Sequence, residues 1–172
     1  MDYYVLVLRV LHIVAGVFWA GAGWAVAGIF TPAIQATGPA GQQVMGYAVG
    51  QRRLSTIFSL AAMVNTLTGL LLYWRASVGL NPNWIRTGPG LTLTMGGLAG
   101  LTAFLIGFLV NRPLSNRLGA VGRRLAAAQG PPDQGLITEA GQLQARLESA
   151  GVWTSILLAV SVILMAGAEQ VF

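Results

Sequence analysis

The chain alternates between long apolar runs and short polar stretches. Four runs, at about 3–30, 54–74, 91–110 and 150–168, reach the roughly 20 residues that a helix needs to cross a bilayer. Only Arg9 and His12 interrupt the first, and no charged residue lies inside the other three. The runs show no period-two alternation and far exceed barrel strands, so they predict helices. After the third run, Leu114, Leu118, Val121 and Leu125 recur at helical spacing, with Arg117 and Arg124 off that stripe. Gly130-Pro131-Pro132 marks a break, and Leu136, Ala140, Leu143 and Leu147 resume a stripe that leads into the fourth run. The pattern predicts an all-α fold: an integral membrane four-helix bundle, one domain over 1–172, with a cytoplasmic helical hairpin at about 114–149 between helices 3 and 4. The third helix either runs on past the membrane or bends at Pro113. The hairpin either offers a docking surface or covers its own apolar stripe.

Composition sharpens this picture. Hydrophobic residues make up 55% of the 172, with a mean hydropathy of +0.66. Such a chain is neither disordered nor an ordinary soluble domain. The absence of cysteine excludes disulfides, thiolate-bound clusters and thiol catalysis. With one histidine, a multi-histidine metal site cannot be built within one copy.

The net charge of +5 does not point to nucleic acid, because the ten basic residues, all arginine, flank apolar runs. They instead set orientation. Arg52 and Arg53 lie in the first connection, and Arg112, Arg117, Arg123, Arg124 and Arg146 in the third. Arg75 and Arg86 lie on the opposite side, where Arg9 can also snorkel. This places the first and third connections in the cytoplasm and both termini outside, in a bacterial inner membrane. Tyr3, Tyr4, Tyr73, Trp74 and Trp84 would form an outer aromatic belt. Ala25-Val26-Ala27 resembles a signal-peptide cleavage site, but Asp2 replaces a basic start and the run is about twice the usual length, so a retained helix is expected.

Glycine is abundant, at 23 residues, and many lie inside the runs. Gly96 and Gly100 form a small-xxx-small pair, and Ala99, Ala103 and Gly107 a second stripe. In lipid, helices associate through close van der Waals contact, so such residues mark interfaces. The same lack of bulk also leaves room for a flat cofactor.

His12 is the most informative residue, since an ionisable side chain in a span is a functional candidate by default. Steps of three and four place Arg9, His12, Gly16, Trp19 and Gly23 on one face, which looks like a cavity wall. On the second helix, Met63 shares a face with Thr56, Ser59, Thr66 and Leu70, a weakly polar stripe expected to point inward. His12 lies about 14 Å below Tyr3, and Met63 about 16 Å below Trp74. Antiparallel helices would then hold the two at one level, and imidazole with thioether is a common axial pair for haem iron. Arg9, one turn outward, would suit a propionate, or else it snorkels or pairs with Glu169. The plainer alternative is a packed histidine bonded to a neighbouring carbonyl or a threonine hydroxyl.

Leu11-His12-Ile13, Trp19 seven residues after the histidine, and Gly21 resemble the first-helix signature of HemJ-type membrane protoporphyrinogen oxidases. The CopD copper-resistance family shares that signature. Arg52-Arg53-Leu54, Met63 and Thr68-Gly69-Leu70 resemble the corresponding second-helix stretch. The match covers roughly residues 8–24 and 51–72. The resemblance implies b-type haem, with His12 and Met63 as ligands. It does not carry the oxidase activity, because that family has a lysine early in its third helix, where this chain reads Leu91-Thr92-Leu93-Thr94 and has no lysine anywhere.

The expected function is therefore a membrane b-type haem protein in electron transfer or redox sensing. Its candidate cofactor-binding residues are His12, Met63, Arg9, Trp19 and Gly16. One alternative is a cofactor-free accessory or scaffold subunit, as a homo-oligomer or within a larger membrane complex. Another is a copper or metal-ion permease, which would need a polar pathway that Asn65, Thr66, Thr68, Thr92, Thr94, Thr102 and Ser155 do not evidently form. No carboxylate lies in any span, which argues against proton-coupled catalysis such as a HemJ-like porphyrinogen oxidation unless His12 itself is free.

Overall fold

The computed structural model describes residues 2–50, 53–128, 131 and 133–168, and no strand occurs among them. The described residues form six helices: α1 Tyr3–Thr37, α2 Pro39–Gly50, α3 Leu54–Ala76, α4 Pro82–Ile85, α5 Gly88–Ala127 and α6 Gln134–Gly167. Of these, α1, α3, α5 and α6 are long and apolar enough to cross a membrane. They run up and down in sequence. α1 packs most closely on α3, and α5 on α6. Thinner contacts between α3 and α5 and between α1 and α6 close the ring.

The bundle has a small-residue interior and an apolar exterior. Trp19, Ala20, Ala62, Ala103 and Leu158 form the core, while Val17 and Ile163 are 70% and 69% exposed. An outside richer in large apolar side chains than the inside suits a hydrocarbon solvent, where helices gain by close approach rather than by hiding apolar area. The α5–α6 contact illustrates this. A Cβ on Gly96 would sit 3.3 Å from Leu164 Cβ, and one on Gly100 3.0 Å from Ser161 Oγ. The Ser161 hydroxyl donates to the Gly96 carbonyl at 2.8 Å across that gap.

Two helices carry a π turn followed by a proline. In α1 the turn covers Val26–Phe30, before Pro32. In α5 it covers Gly107–Asn111, before Pro113. A proline ring clashes with the carbonyl four residues back. Widening the turn eases that clash, and the Thr31 and Arg112 amides donate to the carbonyls five residues back, those of Val26 and Gly107. Neither helix stops at its proline. α1 thus extends past residue 30, where the apolar run ends, and α5 continues through Pro113 to Ala127.

The hairpin is present as helix, and its second arm is one piece with the fourth run, since α6 is a single helix of 34 residues. Val121 and Leu143 are buried where the arms meet, so the stripes cover each other, while Arg117, Arg123 and Arg124 stay exposed. The Gly130-Pro131-Pro132 break falls mostly outside the described residues, as do Arg52 and Glu169; Pro131 lies in a bend. The first connection is itself mostly helical, since α1 runs on to Thr37 and α2 covers Pro39–Gly50.

At the far end of the bundle Asp2 pairs with Arg75 at 2.5 Å, and the Tyr73 and Trp84 rings meet edge to face. At the hairpin end Gln35 of α1 donates to Glu148 of α6 at 2.5 Å.

Candidate functional site

α1 turns His12, Gly16, Trp19 and Gly23 toward the other helices. Trp19 is buried in the core, and Gly23 faces Leu158 while its carbonyl accepts from Ser155 Oγ at 3.4 Å. Gly16 approaches α3 so closely that a Cβ on it would lie 2.7 Å from Asn65 Oδ1. His12 is half-buried against the same helix, and Arg9, one turn outward, is exposed. Arg9 has no ion-pair partner among the described residues.

The His12 contacts define the site. Its Nδ1–H donates to the backbone carbonyl of Asn65 at 2.9 Å. The Thr68 hydroxyl lies 3.5 Å from the same nitrogen but donates to the Val64 carbonyl at 2.7 Å. The ring lies against Gly69, where a Cβ would come within 2.8 Å of Cε1. Because a carbonyl can only accept, Nδ1 carries the proton in neutral imidazole, and Nε2 keeps its lone pair. No hydrogen bond to Nε2 occurs among the described residues. Asn65 Oδ1 is also buried without a hydrogen-bond partner there. It faces the Gly16 Cα, whose hydrogen is a weak donor of the kind found at close helix contacts.

The structure does not bring Met63 to His12. Gly16 meets Asn65 and His12 meets Thr68 and Gly69, so Met63 lies about five residues deeper than the level of His12, or about 7 Å along the axis. It also points elsewhere, being 46% exposed. Of the stripe expected to face inward, Thr56, Met63 and Leu70 are exposed and Ser59 and Thr66 half-buried. The inward face of α3 instead carries Phe58, Ala61, Ala62, Asn65 and Thr68.

The reason is chemical. Ser59, on the expected stripe, donates to the carbonyl of Ser55 on its own helix. A hydroxyl satisfied in that way needs no interior partner, so its polarity does not mark the buried side. Asn65, which does meet the histidine, was legible only as one of several polar residues, and Gly69 only within the Thr68-Gly69-Leu70 resemblance.

As a haem site, the cluster fits in part. A histidine ligand commonly donates its second ring nitrogen to a carbonyl, which fixes the tautomer and aims the other nitrogen, and His12 has that arrangement. Met63 of the same chain does not fit as the opposite ligand. No group of three or more His, Asp or Glu that could hold a metal ion occurs among the described residues. No family pattern, curated protein or solved structure matches the chain.

Proposed function

We propose that this chain is an integral membrane protein whose first two spans bind a b-type haem through His12 Nε2. The observation that carries the reading is the 2.9 Å bond from Nδ1–H to the Asn65 carbonyl, which leaves Nε2 as a lone-pair donor within an apolar run that only Arg9 and His12 interrupt. Gly16 and Gly69 contribute by absence of bulk, which lets Asn65 and the His12 ring close on them, and Arg9 lies one turn toward the headgroups, where a propionate would be. Trp19 acts as core and not as a pocket wall. A bound haem would supply one-electron chemistry. Met63, which faces away from His12, would not share in holding the haem.

The protein lies in the bacterial inner membrane with both termini outside and the hairpin in the cytoplasm, as the arginine distribution supports. The second reading, a cofactor-free accessory subunit, draws on the same bond: a histidine held by Asn65 and seated on Gly69 is also an adequate helix clasp. The optical spectrum of detergent-purified protein from haem-replete cells separates the two. The haem reading expects a Soret band that acid-acetone extraction removes and that His12→Ala abolishes. A colourless preparation that takes up no added haemin leaves the accessory subunit.

A further inference from the structure

The geometry points to a specific site for an anionic glycerophospholipid in the groove between α5 and α6 at the hairpin end. The inference rests on the reading of these helices as membrane spans. The groove has a volume of about 550 Å³, within the ordinary range of ligand sites. The π turn of α5 supplies Leu109 and Val110, and Ile106 lies one turn earlier. From α6 come Trp153, then Ser149 and Arg146.

The chemistry changes along the groove. Its deep end is apolar, with Leu109 63% and Trp153 60% exposed. Arg146 lies seven residues from Trp153 on the same helix face, about 10 Å toward the hairpin. That spacing matches an acyl chain against Leu109 and Trp153 followed by a headgroup at Arg146.

Arg146 is the cation available to such a headgroup. It makes no ion pair among the described residues. The nearest acid in sequence, Glu148, is engaged by Gln35 and Gln144. Arg112 is occupied otherwise, with its guanidinium stacked 5.3 Å from the centre of the Phe108 ring. Arg146 with the Ser149 hydroxyl therefore forms a charge-assisted donor set open to a phosphate, placed above an apolar trough.

The test is native mass spectrometry of the full chain in detergent. Phosphatidylglycerol and phosphatidylcholine of equal chain length are titrated in. Wild type should retain one phosphatidylglycerol in preference to phosphatidylcholine by roughly fivefold, about 1 kcal/mol for one basic residue at the headgroup level. Arg146→Gln should remove the preference, Arg146→Lys should keep most of it, and Arg112→Gln should leave it unchanged. Trp153→Ala should weaken both lipids alike. Inorganic phosphate should not compete, since it lacks the chains. Equal retention by wild type and Arg146→Gln overturns the proposal. So does competition by phosphate, or a lipid-free dimer, which would mean that a second copy covers the groove. Failure of the span reading looks different: alkaline carbonate would then release the chain from membranes.

Discussion

The imidazole of His12 fills the space that a side chain on Gly69 would need, since a Cβ there would stand 2.8 Å from Cε1. The contact joins α1 and α3 from both sides, because the same ring donates to Asn65 one turn away. A cationic or polar group in an apolar helix is tolerated when its partner is in place, and here the partner is a backbone carbonyl that no side-chain substitution removes.

Gly69→Ala should therefore change sign with the background. In wild type the added methyl forces the ring aside, and overpacking of this kind costs about 1–3 kcal/mol. In His12→Ala the obstacle is gone, and the usual preference of a helix for alanine over glycine, about 1 kcal/mol, should make the same change stabilising. Thermal unfolding of the four variants in one detergent measures the coupling. Additive effects would mean that the ring does not sit against Gly69.

The α5–α6 contact predicts a position-specific glycine series. Gly100→Leu and Gly96→Leu should unfold or loosen the bundle, because Ser161, Leu164 and Met165 leave no room. Gly16→Leu should do the same against Asn65. Gly97→Ala, beside the pair but with nothing within 4 Å of its Cβ, should be neutral or slightly stabilising. Ser161→Ala should cost only about 0.6 kcal/mol, typical of a hydrogen bond between spans. Equal sensitivity at Gly96 and Gly97 in a thermal-shift measurement would refute the assigned face.

Much of this was legible in the sequence, and the misses share a cause. Run length and hydropathy gave the four long helices, and the 3.6-residue period gave both arms of the hairpin, because these signals depend only on burial or on lipid. The small-xxx-small spacing of Gly96 and Gly100 likewise marked a true contact. The buried side of α3 was not legible, because Ser59 satisfies its hydroxyl on its own helix, so polarity along that stripe did not mark the interior. The depth of Met63 was misjudged because counting inward from Tyr3 and Trp74 assumed level helix ends. The prolines concealed the π turns, since proline reads as a break and the compensating wide turn has no residue signature of its own.

The π turn before Pro113 yields a third prediction. A π turn amounts to one extra residue in an α-helix. Deleting Leu109 should restore the ordinary phase and bring the carbonyl four residues back against the proline ring, at a cost of about 3 kcal/mol. In the Pro113→Ala background the same deletion should be far better tolerated. Stability in detergent reads both. A deletion equally damaging with and without Pro113 would show that the wide turn serves the α5–α6 packing and not the proline.

Orientation gives the last prediction, and the chain suits its test because it has no cysteine of its own. Among the described residues Arg53, Arg112, Arg117, Arg123, Arg124 and Arg146 gather at the hairpin end, against Arg75 and Arg86 at the other. Arg75 is moreover paired with Asp2, which offsets its charge. An excess of arginine close to span ends holds that side in the cytoplasm, and Arg53, Arg112 and Arg146 lie close enough to count. Single cysteines at exposed positions read the result directly. Asn83→Cys on α4 should react with a membrane-impermeant maleimide in cells whose inner membrane is intact and accessible. Asn116→Cys and Thr138→Cys, one on each arm of the hairpin, should react only after that membrane is opened. All three side chains are exposed, so failure to label reports the barrier and not burial. If both hairpin cysteines label first, the bundle is inverted, the lipid groove faces the outer leaflet, and Arg9 with His12 lies nearer the cytoplasm.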